Sequence, residues 1–203
     1  MNVLRHGIEC YFTKEQTARI AAMRVGIAGA GGLGSNCAQM LVRSGFEQLV
    51  VADFDVVEPG NLNRQFFFPD QLGQPKVHAL RDNLLRLNPD LKLDVFNGRI
   101  DAVNAREVFS GCGVIVEAFD RAECKKMLAE IFYNSGCFYV SASGLGGWGD
   151  SDALTIRRIH DRFYLVGDNV TEADTHAPPC APRVHIAAAK QADLVLAHAL
   201  GDI

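Results

Sequence analysis

The sequence predicts an α/β fold: a doubly wound, mainly parallel sheet with a C-terminal antiparallel hairpin and a closing helix. Three observations predict it. Short apolar runs alternate with helical stretches as far as Ser143, the pattern of a parallel sheet with helices on both faces. A glycine run, Gly29-Ala30-Gly31-Gly32-Leu33-Gly34, joins the first of those apolar runs to a helix. After Ser143 the pattern changes to a glycine-rich stretch, two short strands, a polar loop and one long helix.

Each element follows in order. A helix is expected over residues 13–23, a buried strand over 23–28 and a helix over 35–43. The run QLVVAD forms a second strand ending at Asp53. Residues 54–74 read as a long irregular segment. A helix over 75–88 stops at Asn88-Pro89. Residues 91–97 alternate, with Leu91, Leu93 and Val95 on one face. A short helix around 104–109 precedes GVIVEAF (113–119), a buried parallel-type strand with Asp120 at its C-terminal end. A helix over 121–134 leads to a strand over 137–143. Residues 144–149 are glycine-rich. Strands over 153–159 and 163–166 flank His160-Asp161-Arg162 as a hairpin. Residues 168–182 form a polar loop with three of the seven prolines. The last helix spans 183–200 and is capped by Gly201. Hairpin and last helix read as an extension of one domain covering 1–203.

Composition sets the limits. A chain of 203 residues can bury a sizeable core. A net charge of −4 gives no basic footprint for nucleic acid. No stretch is long and apolar enough to span a bilayer, and the first residues lack the apolar core of a signal peptide, so a cytoplasmic location is expected. Six cysteines are scattered (Cys10, Cys37, Cys112, Cys124, Cys137, Cys180), and no two form a C-x-x-C pair. That argues against zinc and suits a reducing compartment.

The chemistry-bearing residues fall at strand ends. Glycines at a strand-to-helix junction let backbone approach a phosphate and leave helix N–H groups pointing at it. About 20 residues further on, Asp53 ends the second strand, placed to bond a ribose hydroxyl in Rossmann-like fashion. In an open parallel sheet, ligands lie outside the C-terminal strand ends, so the glycine run, Asp53 and Asp120 should face one crevice. The segment after Asp53 adds Asn61, Asn63, Arg64 and Gln65, and Lys76 starts the next helix. A dinucleotide site has little use for two extra cations. A triphosphate being cleaved does, because catalysis there is mainly positioning and neutralisation of charge on phosphate oxygens. Arg64 suits bidentate phosphate contact, Lys76 a point-charge contact, and Asp120 a magnesium ion shared with phosphate.

The glycine run with Ser35-Asn36, then Asp53-Phe54-Asp55, Asn61-Leu62-Asn63-Arg64-Gln65, Gly73-Gln74-Pro75-Lys76 and Glu117-Ala118-Phe119-Asp120 resemble the ThiF/MoeB/HesA group, relatives of the ubiquitin-activating enzymes. The resemblance covers nearly the whole chain and is strongest to the short ThiF-like proteins of thiamine biosynthesis. Arg5-His6-Gly7 and Ala181-Pro182-Arg183-Val184 also look like that group. The resemblance implies ATP-dependent adenylation of the C-terminal glycine carboxylate of a small ubiquitin-like sulfur carrier ending in Gly-Gly, with release of pyrophosphate. Carried over by motif, Gly29, Gly31, Gly32, Leu33 and Gly34 contact the nucleotide and Asp53 holds its ribose. Asn61, Asn63, Arg64, Gln65 and Lys76 line the phosphate site, and Asp120 holds magnesium. Asp55 joins this set, although beside Glu58 it also suits a structural role. Arg5 is the candidate to reach the phosphates of the other protomer, the family being usually homodimeric. The chain departs from larger members in lacking two C-x-x-C pairs, so no zinc is expected, and in being shorter. Some relatives transfer sulfur through a cysteine in the loop before the last helix, where Cys180 lies.

Plainer readings stand beside these. Arg64 and Lys76 could be solvated charges, and Asp120 could cap the helix starting at Arg121. Phe66-Phe67-Phe68 suits loop anchoring or a docking surface. Residues 144–149 with Trp148 suit either a flexible loop or a slot for an extended diglycine tail, where only glycine lets two backbones approach. His78, His160, His176, His185 and His198 form no ligand cluster. Alternative functions are adenylation of a small carboxylate on modified tRNA, which the acidic charge disfavours, an NAD-dependent oxidoreductase, and a nucleotide-binding protein without turnover.

Overall fold

Local signals in the chain start most of the helices. The computed structural model describes residues 2–203. The Asn2 side chain accepts the Arg5 N–H and opens α1 (Val3–Glu9), a short helix not foreseen from the sequence. Thr13 and Gln16 form a capping box that starts α2 (Lys14–Ala22). The chain continues through β1 (Arg24–Ala28), α3 (Gly32–Arg43) and β2 (Gln48–Asp53). Two single turns, Pro59–Asn61 and Pro69–Gln71, give the long segment after Asp53 its shape. Next come α4 (Lys76–Leu87), β3 (Lys92–Asn97), α5 (Ala105–Val108), β4 (Val114–Glu117), α6 (Ala122–Phe132) and β5 (Phe138–Ala142). The hairpin strands are β6 (Thr155–His160) and β7 (Phe163–Gly167), and α7 (Ala181–Leu200) closes the fold. Gly201 ends α7 at φ 86°, donating to the carbonyls of Ala197 and His198.

The seven strands form one sheet in the order β3-β2-β1-β4-β5-β7-β6. All neighbours pair in parallel except β6 and β7. The hairpin is inverted in space: β7 inserts next to β5 and leaves β6 at the edge. That edge carries exposed Arg157 and Arg158 and an irregularity between Arg158 and His160, features that discourage pairing with another sheet.

Successive side chains of each strand point to opposite faces. Val25, Ile27, Leu49, Val51, Val114 and Val116 pack with the apolar faces of α3, α4 and α7 in one core layer. Val50, Ala52, Ile115 and Tyr139 pack with Phe109, Leu128 and Phe132 in the other. A buried Leu or Val of this kind contributes about 2 kcal/mol. Strand order reverses between β1 and β4, so the crevice of an open α/β sheet opens at their C-terminal ends.

Most boundaries shift by one or two residues, and two differences bear on the crevice. Helix α3 starts at Gly32, not Ser35, because the end of the glycine run forms its first turn. Helix α6 starts at Ala122 with Arg121 at its N-cap and no side-chain cap, so Asp120 does not cap it.

Candidate active site

The crevice is built on the turn between β1 and α3. The Gly29 N–H donates to Ala52 O at 2.8 Å, tying the turn to β2. Gly29 has φ +106°, and a Cβ there would lie 2.7 Å from Ala118 O. A Cβ on Gly34 would lie 1.8 Å from Gly29 O. Both positions therefore require glycine. Gly31 caps α3 without a side-chain bond, and the nearest neighbour to its open side is the Gln65 amide, 3.8 Å from an ideal Cβ. An uncapped helix start of this kind presents N–H groups to an anion. The Leu33 side chain is buried in the core.

Asp53 braces this turn. One carboxylate oxygen accepts the Ala30 N–H at 2.6 Å and the other accepts the Asp55 N–H at 2.8 Å. Burial pushes its pKa above the ordinary carboxylate value, against the pull of those two N–H groups and of Lys76. Lys76 opens α4, is buried, and donates to Asp55 Oδ2 at 2.9 Å. Asp55 is thus the counter-ion of Lys76, with its own side chain half exposed.

The Arg64 side chain lies over Gly32, whose ideal Cβ would be 3.6 Å from Arg64 Cγ. Arg64 Nη1 donates to Gly60 O and Asn63 Oδ1, both at 2.8 Å. Desolvation lowers its pKa. Asn63 Nδ2 donates to Pro179 O at 3.4 Å, docking the loop before α7 onto the same segment. Asn61 shapes the turn: its side chain accepts the Glu58 N–H at 3.0 Å and its carbonyl accepts the N–H groups of Arg64 and Gln65. Gln65 is buried next to Gly31, and its Oε1 has no partner. A buried orphan acceptor is a place where a ligand or water donor fits.

Asp120 is exposed just past β4, where the preceding Ala118 abuts Gly29. Among the described residues, no group of three or more His, Cys, Asp or Glu side chains could hold a metal ion by itself. A single exposed carboxylate could serve magnesium only as one ligand among several, since that ion takes its others from phosphate and water. Arg5 does not join the cluster within its own chain. It pairs bidentately with Glu47, just ahead of β2, so it lies at the N-terminal strand ends, opposite the crevice.

The structure adds polar residues that sequence reasoning assigned no role. Ser35 Oγ donates to Gly31 O and accepts the Phe66 N–H. Asn36 Nδ2 bridges Gly32 O and Arg64 O, both at 2.7 Å. The signal was their position directly after the glycine run. A second cavity of about 330 Å³ lies beyond Pro179, lined by Gly146, Trp148, Asp168, Thr171, His176 and Arg183. Buried Arg183 holds its wall, donating to Gly149 O, Asp150 O and Asp168 Oδ2. The three Phe residues divide: Phe67 is buried and Phe68 is exposed. All six cysteines are free thiols. No helix among the described residues is long and apolar enough to cross a membrane.

Known proteins share both the sequence and the architecture. Over 87 residues the chain is 44% identical to ubiquitin-like modifier-activating enzyme 5 of Caenorhabditis briggsae, covering 43% of this chain and 20% of that protein. It is 37% identical over 128 residues to the SAMP-activating enzyme E1 of Haloferax volcanii, covering 63% and 47%. It is 33% identical over 137 residues to the adenylyltransferase and sulfurtransferase UBA4 of Saccharomyces cerevisiae, covering 67% and 31%. The chain thus spans less than half the length of these relatives. In fold it is similar to E. coli tRNA N6-threonylcarbamoyladenosine dehydratase in complex with AMP, with a TM-score of 0.82, 18% identity and coverage of 97% and 92%. E. coli MccB with ATP superimposes with a TM-score of 0.74 at 19% identity, covering 92% and 59%. The model of the ThiF family matches residues 8–192, and the chain belongs to that family.

Proposed function

We propose that this chain is one ATP-dependent adenylation domain acting on the C-terminal glycine carboxylate of a ubiquitin-like protein. A sulfur carrier of thiamine synthesis is the partner we favour. A carboxylate oxygen attacks the α-phosphorus of ATP. The bond from that phosphorus to the bridging oxygen breaks, and pyrophosphate leaves with the electron pair. The product is an acyl-adenylate.

One observation carries this reading: two cations, Arg64 and Lys76, flank a single glycine turn. A redox dinucleotide would leave them without work, whereas a departing pyrophosphate needs charge neutralised at its oxygens. The names of the relatives, activating enzymes and an adenylyltransferase, support the same chemistry. In this reading Gly31 and Gly32 offer backbone N–H groups to phosphate, and Asp53 orients the ribose while bracing the turn. Gln65 and Asn61 position the nucleotide. Arg64 and Lys76 stabilise charge on the leaving group. Asp120 holds magnesium, which when bound would screen the phosphates. The segment 144–149 with Trp148 guides the extended tail toward Arg64. The active form is a homodimer in which Arg5 serves the other protomer's phosphates.

The test is ATP–pyrophosphate exchange with labelled pyrophosphate, run with and without a purified carrier ending in Gly-Gly. Exchange that needs the carrier supports the reading. Absence of exchange with every such carrier overturns it.

A further inference from the structure

We propose that the pair of buried Glu117 with partly buried Lys125 is a positioning device that sets the turn carrying Asp120; the inference rests on the nucleotide reading of the crevice. Glu117 is the last residue of β4 and is fully buried. Its carboxylate accepts from Lys125 Nζ at 3.1 and 3.2 Å, from Ser141 Oγ, and from the Phe119 N–H at 2.7 Å. Lys125, on α6, also donates to Ala142 O at 2.9 Å at the end of β5. Four separate pieces of chain therefore meet at one carboxylate: β4, β5, α6 and the turn itself.

A carboxylate buried with its ion-pair partner is a poor way to stabilise a fold, because desolvation offsets most of the Coulomb gain. Geometry gives this one a purpose. The Phe119 N–H bond makes the carboxylate the anchor of the Ala118-Phe119 turn. From the other side, Ala118 N–H donates to Ala28 O and Ala118 O abuts Gly29. Gln191, buried on α7, donates to Glu117 O at 3.0 Å. Asp120 is the next residue, and α6 after it has no side-chain cap to set the turn. The turn is thus held by Glu117, which is tied to Lys125 in the body of α6 and to Ser141 on β5, and not by a cap at the start of α6. The carboxylate of Glu117 is fully buried and Lys125 Nζ is bonded to it and to Ala142 O, so the proposed action of both is through Asp120.

The decisive experiment compares wild type, Asp120→Asn, and the charge-neutral double variant Glu117→Gln/Lys125→Met. Mn2+ is the paramagnetic probe, titrated into each protein with ATP and followed by electron paramagnetic resonance. Melting curves and ATP affinity without metal are measured alongside. The expected result is a folded double variant with wild-type affinity for metal-free ATP and about tenfold weaker Mn2+ binding, the size of effect seen when outer partners of a metal ligand are lost. Asp120→Asn should weaken Mn2+ at least as much. In the exchange assay the double variant should lose kcat with little change in KM for ATP. If the double variant does not fold, Ser141→Ala, which removes one hydrogen bond and keeps both charges, should show the same pattern at about threefold. Wild-type Mn2+ affinity in a folded variant overturns the proposal, as does wild type that binds no Mn2+ with ATP. Wild type that binds Mn2+–ATP but never exchanges pyrophosphate refutes adenylation alone, and the Mn2+ comparison still decides the positioning role.

Discussion

Arg64 lies partly buried against the glycine turn. Its stem lies across Gly32 and only Nη1 is held by protein acceptors, so the rest of the guanidinium can turn toward phosphate. We predict that Arg64→Ala lowers exchange about 100-fold or more, while a thermal shift still detects bound nucleotide. Loss of binding as well would mean that Arg64 holds the ground state, not the leaving group. Gly34→Ala should fail for a different reason. Its Cβ would collide with Gly29 O, and urea unfolding should register a loss of about 3 kcal/mol. Gly31→Ala, with open space beside it, should fold normally and weaken nucleotide binding. At this scale the glycine run and Asp53 were legible because strand-to-helix spacing is local. The pairing of Lys76 with Asp55 was not, since it depends on two single turns that bring distant residues together. The same holds for Glu117, whose partners lie on α6 and β5.

Polar ties hold the loop before α7 in place. Asp168 accepts from Thr171 and Arg183, with Val170 N–H adding a third source. Desolvation would raise its pKa, but bonds from Thr171 and Val170 and the charge of Arg183 win, and it falls below the usual value. A carboxyl with a depressed folded pKa stabilises above its unfolded value of about 4 and loses that contribution as pH falls through the folded one. Asp168→Asn should therefore lower Tm at neutral pH, with the gap to wild type closing in acid. A gap constant from neutral to strongly acidic pH would remove Asp168 from that role. Strands and most helices were legible at this scale from apolar periodicity. Helix α1 was not, because seven residues carrying Gly7 give too short a pattern, and its start rests on one Asn2 bond. The start of α3 was misjudged because glycines, which disfavour helix interiors, form its first turn here.

At the scale of the whole molecule, Arg5 separates a single-chain site from a shared one. Its pair with Glu47 is half exposed, so Arg5→Ala should leave Tm nearly unchanged. If it serves a partner's phosphates, the same variant should lose exchange, and light scattering should find wild type as a dimer. Unchanged exchange would rule out that service. A thermal-shift comparison of ATP–magnesium with NAD should show stabilisation by ATP alone, since only a ligand that binds the folded state raises apparent stability. The fold class was legible throughout, down to the antiparallel hairpin. The order of its last strands was not, because an inverted hairpin has the same local pattern as one laid down in sequence.

That inversion governs how the protein assembles. β6 leaves the ribosome before β7, yet its only neighbour in the finished sheet is β7. It has nowhere to dock when it emerges. β6 can therefore join the sheet only through β7. Pulse-labelled amide exchange during refolding should accordingly find β6 protected no earlier than β7, and protection of β6 ahead of β7 would contradict that order.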